Sequence, residues 1–262
     1  MAYFYTLFSG SSGNCTFVSD GKTNLLIDAG VSASRICTAL SQIGYSPRDI
    51  NGILLTHEHR DHVCGVGVLS REYSIPVYAN VGTMEKTMAV TGWIFDDYIN
   101  TFKSNEKFSV DDIEVFPFSI SHDTIDPVGY TFRFNGKYYS VATDMGCVTE
   151  SVLKHLCRSD AVLIEANHDV KMLKDGPYPY YLKKRILSDK GHLSNDNCAH
   201  LATQLVKWGT TKIALGHLSE KNNTPDAAYD AVAECFENND IEIGKDVLLQ
   251  VAQKDGICKI CF

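Results

Sequence analysis

Long apolar runs are missing from this chain. No stretch approaches the roughly 18 consecutive hydrophobic residues of a membrane-spanning helix. Its start, Met1-Ala2-Tyr3-Phe4-Tyr5, lacks the basic segment and extended apolar core of a secretory signal. The nine cysteines are odd in number and lack the spacing of a disulfide framework, which suits a reducing cytosol. A cytoplasmic protein without a membrane anchor is therefore expected. Excess positive charge is missing too. The formal charge is −8, which weakens any general attraction to nucleic acid, and no recognisable nucleic-acid-binding module is present. No repeat and no long linker divides the 262 residues, which are 44% hydrophobic and predict one domain, 1–262, with a large core.

Histidine is where the sequence is rich. His57-Glu58-His59-Arg60-Asp61-His62 follows the apolar run Gly52 to Thr56, which has the character of a short buried strand. Neutral imidazoles and carboxylate oxygens bind divalent cations, and the aspartate adds charge that histidine cannot. Alternate residues of an extended segment project to one side, so His57 and His59 can hold one ion. If the chain then turns into a helix, Asp61 and His62 reach a second ion, the arrangement of a dinuclear hydrolase. A histidine-rich surface loop is the alternative, but such a loop has no reason to follow a buried strand with this spacing.

Strand-like and helical runs alternate along the chain. Ser32 or Ser34 is placed to cap a helix running toward Ile43 and stopped by Gly44, and Val81 to Val90 has helical character. Asn135-Gly136 between two strand-like runs predicts a type I′ hairpin. Glu150 to Cys157, Pro179 to Leu187, Asn195 to Lys207 and Pro225 to Glu237 have helical spacing, whereas Ala161 to Ile164 and Val247 to Val251 are strand-like. Interior strands flanked by helices predict an α/β fold, with two sheets covered on both outer faces, a four-layer αββα sandwich. Cys258-Lys259-Ile260-Cys261 lies in an alternating terminal pattern without a second pair, so packing is preferred over a redox or zinc role. Cys64 is expected to be a packed thiol near the histidines.

His-x-His-x-Asp-His after an apolar strand resembles the hallmark of the metallo-β-lactamase superfamily. Its other parts occur in order: Asp28 with Ala29-Gly30, His122 in Ser121-His122-Asp123, Asp144 in Ala142-Thr143-Asp144, and His217 in Gly216-His217-Leu218-Ser219. Each ends a predicted strand. Ser9-Gly10-Ser11-Ser12-Gly13-Asn14, Glu165-Ala166-Asn167-His168-Asp169, Gly176-Pro177-Tyr178-Pro179 and Gly191-His192-Leu193-Ser194-Asn195 are similar to segments of its YycJ group, also called WalJ or VicX. The resemblance implies the αββα fold and a first metal on His57, His59 and His122. It implies a second on Asp61, His62 and His217, with Asp144 bridging and Asp28 orienting a ligand imidazole. Zinc, manganese or iron would suit these donors. Two such cations would lower the pKa of a bridging water to give hydroxide and would stabilise charge on a phosphoryl group.

Gly191-His192-Leu193-Ser194 is similar to a segment of the phosphodiesterase branch, which includes transfer-RNA 3′-processing nucleases, so His192 is the candidate leaving-group acid or phosphate clamp. Ser194 or Asn195 can also cap a helix there. The group resemblance implies a DNA exonuclease, with hydrolysis of a small phosphodiester or cyclic nucleotide as the alternative. A lactamase or thioesterase would not need His192, and a non-catalytic regulator would not need the full ligand set. Lys183, Lys184 and Arg185 belong to a locally basic stretch, beside Tyr178, Tyr180 and Tyr181, that either receives a phosphate backbone or is a solvated helix face. Asn167, His168 and Asn195 are candidate substrate contacts, and His168 could equally hold its loop. His155 and His200 fall in helical patterns as ordinary residues. With no large inserted clamp, a polymer has to be gripped by the core or by a homodimer.

Overall fold

The computed structural model describes residues 2–261. Strands β1 (Tyr3–Phe8), β2 (Cys15–Ser19), β3 (Asn24–Ile27), β4 (Gly52–Leu54), β5 (Val77–Asn80) and β6 (Ile99–Phe102) build one sheet. Strands β7 (Phe108–Val110), β8 (Ile113–Ser119), β9 (Val128–Phe134), β10 (Lys137–Ala142), β11 (Ala161–Glu165), β12 (Lys212–Gly216) and β13 (Leu248–Val251) build the other in reverse order. The last strand, β14 (Asp255–Cys261), returns to pair antiparallel with β1. Both sheets follow one plan, an antiparallel part followed by parallel strands: β3 to β6 in the first, β10 to β13 in the second.

Period-two alternation sorts the apolar residues between layers. Leu25 and Ile27 of β3 pack between the sheets, while Leu26 packs outward. In the second sheet Ala161 and Leu163 face inward, and Val162 and Ile164 outward. The outward residues of the first sheet are covered by helices α1 (Ala33–Gln42), α2 (Arg60–Val63), α3 (Val66–Tyr73) and α4 (Val81–Thr91), through Ile36, Leu40, Val63, Leu69 and Met84. Helix α5 (Glu150–Leu156) covers the second sheet, α6 (Val170–Asp175) and α7 (Tyr180–Ile186) follow on the loop beyond β11, and α8 (Asn195–Lys207) with α9 (Pro225–Glu237) completes the layer. Four layers result, as the alternation predicts. No helix of the described residues is long and apolar enough to cross a membrane.

Several local expectations are refined. Asn135 and Gly136 take φ of 52° and 74°, the left-handed pair a type I′ hairpin requires between β9 and β10. Ser32 occupies the N-cap of α1 but makes no side-chain cap bond. Strand β4 ends before Thr56, because the Thr56 N–H turns to the Asp28 carboxylate instead of a neighbouring strand. Short elements such as α3, α6, β5 and β6 were not apparent in the periodicity. Cys258 and Cys261 are buried free thiols of the inter-sheet core, and burial raises the Cys258 pKa to about 11.

The site lies where strands of both sheets end together. Asp28 follows β3, His57 follows β4, His122 follows β8, Asp144 follows β10 and His217 follows β12. Three of these, Asp28, Asp144 and His217, have left-handed backbones, with φ of 60°, 60° and 56°. Each such conformer costs about 1–3 kcal/mol and persists only where its surroundings fix it. Gly30 lets two of these loops touch. A Cβ there would lie 1.6 Å from the Asp61 carbonyl oxygen, and the Gly30 N–H donates to the Asn14 carbonyl at 2.8 Å. Gly30→Ala is expected to lower stability by about 3 kcal/mol in urea denaturation; an unchanged midpoint would contradict this packing.

Candidate metal centre

A neutral imidazole has one N–H and one lone pair, so the partner of one nitrogen fixes what the other offers. His57 places Nδ1 3.0 Å from the Thr56 hydroxyl, which donates to Asp28 Oδ2 at 2.8 Å. With its hydrogen so engaged, that hydroxyl accepts from His57 Nδ1–H and leaves the Nε2 lone pair facing inward. His122 Nδ1 lies 3.1 Å from the Gly191 carbonyl, an acceptor only, so its Nε2 lone pair is free as well. These two nitrogens converge with His59 Nδ1, which is 3.2 Å from His57 Nε2 and 3.3 Å from His122 Nε2. These three mutually close imidazole nitrogens form a donor set that fits a divalent cation.

A second group adjoins it. His62 donates Nδ1–H to Asp28 Oδ2 at 2.7 Å, and His217 donates Nδ1–H to Glu165 Oε1 at 2.8 Å. Their Nε2 atoms lie 3.6 and 3.7 Å from Asp61 Oδ2. Asp144 sits between the groups, with Oδ2 3.3 Å from His62 Nε2 and Oδ1 3.5 Å from His217 Nε2 and 3.7 Å from His122 Nε2. Asp144 Oδ2 and His217 Nε2 are buried with no hydrogen-bond partner. Such orphaned atoms are costly in an apolar interior unless something binds them. Their chemistry and the surrounding donors fit divalent cations.

The electrostatics separate the two groups. Burial, reinforced by the neighbouring imidazoles, holds His57 well below the usual histidine range. Burial likewise outweighs Asp144 at His59 and His122, lowering both. For His62, burial opposes charge, but Asp144, Asp28 and Asp61 outweigh it and lift the pKa to about 9. His217 is raised further by Asp144, Asp61 and Glu165 against the same burial. Burial works against ionised Asp61, yet His62 and His217 hold its pKa well below the carboxylate range. The carboxylates thus favour positive charge at the second group, which a divalent cation would supply in place of protons.

His192 joins this centre through Glu165. The fully buried Glu165 carboxylate accepts four hydrogen bonds: from His192 Nδ1 and His217 Nδ1, both at 2.8 Å, and from the backbone of Met145 and Leu193. Sequence reasoning assigned no role to Glu165, although a charged residue closing the apolar strand β11 was the available signal. Thr56 was also missed, as was Asn14, whose Nδ2 lies 3.1 Å from His62 Nε2.

Other candidates are placed differently. Both ends of the buried Asn195 amide pair reciprocally with Asn223. Asn167 donates Nδ2 to the His217 carbonyl and so braces the ligand loop. His168 is buried with both ring nitrogens unpartnered, and burial pushes its pKa down to about 4. Its carbonyl accepts from Asn195 N, within the loop it helps to hold. Ser194 caps α8 by accepting from Asn197 N. Arg185 forms a two-point pair with Asp123, whose Oδ1 is 3.5 Å from His122 Nε2, and so reaches the rim of the first group. Lys183 donates to the Lys174 carbonyl, and Lys184 is exposed. His155 stacks on Phe118, His200 is exposed and Cys64 is half-buried. Replacing Glu165 by Gln sets an amide N–H₂ against one pair of donors. A loss of about 2–4 kcal/mol with reduced metal content is expected, measured by urea denaturation and elemental analysis; wild-type values for both would remove Glu165 from its orienting role.

Comparison with known proteins agrees with this geometry. Residues 23–216 match the beta-lactamase superfamily domain. The chain is 38% identical over 242 residues to "Exodeoxyribonuclease WalJ" of Streptococcus pneumoniae, covering 92% of this chain and 90% of that one. It is 37% identical over 243 residues to "Exodeoxyribonuclease YycJ" of Bacillus anthracis, covering 93% and 92%. Among solved structures, the metallo-beta-lactamase fold protein YhfI from Bacillus subtilis shares the fold with a TM-score of 0.74 at 13% identity, over 98% of this chain and 99% of that one. The ordered ligands, the two-sheet architecture and these full-length similarities place the chain in the metallo-β-lactamase superfamily, within its YycJ/WalJ group.

Proposed function

We propose that this chain is a dinuclear metal-dependent phosphodiesterase that degrades DNA as an exonuclease. The observation that carries the reading is the convergence of His57, His59, His122, Asp61, His62, His217 and Asp144 into adjoining groups, with Asp144 Oδ2 and His217 Nε2 left without partners. Its support from comparison is the exodeoxyribonuclease activity for which the two relatives are named. Two cations of zinc, manganese or iron, when bound, supply the charge that activates water and stabilises a phosphoryl group in displacement.

The protein's own groups supply the rest. Asp144 presents one carboxylate to both groups, and Asp28 and Glu165 hold the ring nitrogens that orient His62 and His217. His192 is at the edge, its side chain 15% exposed, with Nδ1–H given to Glu165. With Nδ1–H held by Glu165, Nε2 is the His192 nitrogen left to exchange a proton with a leaving alkoxide. Arg185, fixed in its two-point pair with Asp123, offers charge to a phosphate at the rim, and Lys184 extends that charge along α7. Tyr180 and Tyr181, 81% and 74% exposed on the same helix, offer faces for base stacking. A polymer uses this surface; a small diester does not.

Incubation with single- and double-stranded DNA, matched RNA and a bis-aryl phosphodiester, with manganese or zinc, tests this reading. Progressive loss of DNA is expected, and hydrolysis of the small diester alone would select the small-molecule alternative. Asp61→Ala is expected to abolish hydrolysis while the fold is retained by circular dichroism. A variant with wild-type turnover would sink the mechanism. His192→Ala is expected to lower turnover by roughly 10²–10⁴-fold with metal content unchanged; metal loss would instead make His192 a ligand.

A further inference from the structure

A groove of about 470 Å³ opens beside Asp61. Its walls include Ser11 and Ser12 of the loop after β1, Ser32 and Arg35 at the start of α1, and Arg60. The volume falls within the roughly 300–1,000 Å³ of small-ligand sites, and the lining is largely polar, with Arg35, Arg60 and Asp61 as its charged residues. The Arg60 side chain is exposed and has no hydrogen-bond or ion-pair partner among the described residues, although it stands between the ligands His59 and Asp61. Arg35 is paired with Asp255 and lies over the Phe8 ring, which fixes its position. Helix α1 has no acidic residue in its first turn, and its Ser32 side chain makes no cap bond, so the positive end of the helix dipole faces this space uncompensated. The acidic groups nearby are Asp61, which faces the metal ligands, Asp255, engaged by Arg35, and Glu220, engaged by Lys254 and the Ser12 side chain.

We infer that this groove is a second phosphate subsite, in which Arg60, with Ser11 and the start of α1, grips the backbone phosphate next to the one being cleaved. The inference rests on the phosphodiesterase reading above and adds a direction to it. Arg185, paired with Asp123, holds the strand beside His122, and Arg60 holds it beside Asp61. Arg60 suits this role because an exposed guanidinium on a short, ordered helix turn can meet phosphate oxygens at two points. Placement directly between two metal ligands couples that grip to the position of the scissile group. Arg60 is therefore a positioning residue for the substrate.

The test is steady-state cleavage of a short single-stranded DNA by the metal-loaded protein, its Arg60→Ala variant and an Arg48→Ala control on the turn after α1. Arg60→Ala is expected to raise KM roughly fivefold to tenfold, and to reduce the slope of log KM against log salt by about one. Arg48→Ala is expected to change neither. Oligonucleotides carrying a single uncharged methylphosphonate locate the contact. One linkage adjacent to the scissile phosphate should weaken binding to the wild type, and its penalty should vanish in Arg60→Ala. Unchanged KM and salt slope, or a methylphosphonate pattern that persists in the variant, overturns the subsite. Metal loss in Arg60→Ala, measured by elemental analysis, overturns it as well, by making Arg60 a support of the ligands. If the wild type cleaves no DNA, the failure is of the phosphodiesterase reading itself.

Discussion

Neutral imidazoles bind cations only through a nitrogen that carries no proton, so the placement of four ring N–H groups governs everything else at this centre. His57, His62, His122 and His217 each give Nδ1–H to an interior acceptor: the Thr56 hydroxyl, Asp28, the Gly191 carbonyl and Glu165. With those bonds made, each Nε2 lone pair points inward. Asp28 reaches both metal groups, directly through His62 and by way of Thr56 through His57. Glu165 does the same for His217 and His192, tying a ligand to the candidate proton donor. Removing either carboxylate would free two imidazoles at once.

The two-sheet fold exists at this spot to hold those acceptors. Strands from both sheets end together, and left-handed turns at Asp28, Asp144 and His217 swing their side chains away from the strand direction. Backbone bonds lock the loops: Asn14 N to the Asp61 carbonyl, Ala29 N to the His62 carbonyl and His192 N to the Ile186 carbonyl. Gly191 belongs to this clamp, since a Cβ there would lie 2.2 Å from the Ile186 carbonyl oxygen. Strain at three residues is thus held by a dense hydrogen-bonded surround, the usual arrangement for a preorganised site.

Much of this was legible because ligand chemistry is periodic and local. His57, His59, Asp61 and His62 occupy six consecutive residues after an apolar run, and His122, Asp144 and His217 each follow a run with strand character. The helices α8 and α9 match their expected limits, since both carry hydroxyl caps and uninterrupted helical spacing. What stayed hidden depends on tertiary pairing. Glu165 and Thr56 are ordinary letters until the chain brings imidazoles to them across 27 to 52 positions or places a carboxylate beside them. The pairing of Asn195 with Asn223, 28 residues away, was hidden for the same reason. Short strands such as β5 and β6 carry too few residues for alternation to speak, and their pairing to neighbours decides them.

The most direct measurement is the metal content of the purified protein per chain, by elemental analysis after saturation and removal of free ion. The account predicts two divalent cations per chain in the wild type and a reduced number in Asp144→Ala, because that carboxylate serves both groups. A wild-type protein that retains no cation, or an Asp144→Ala variant that retains two, would contradict it.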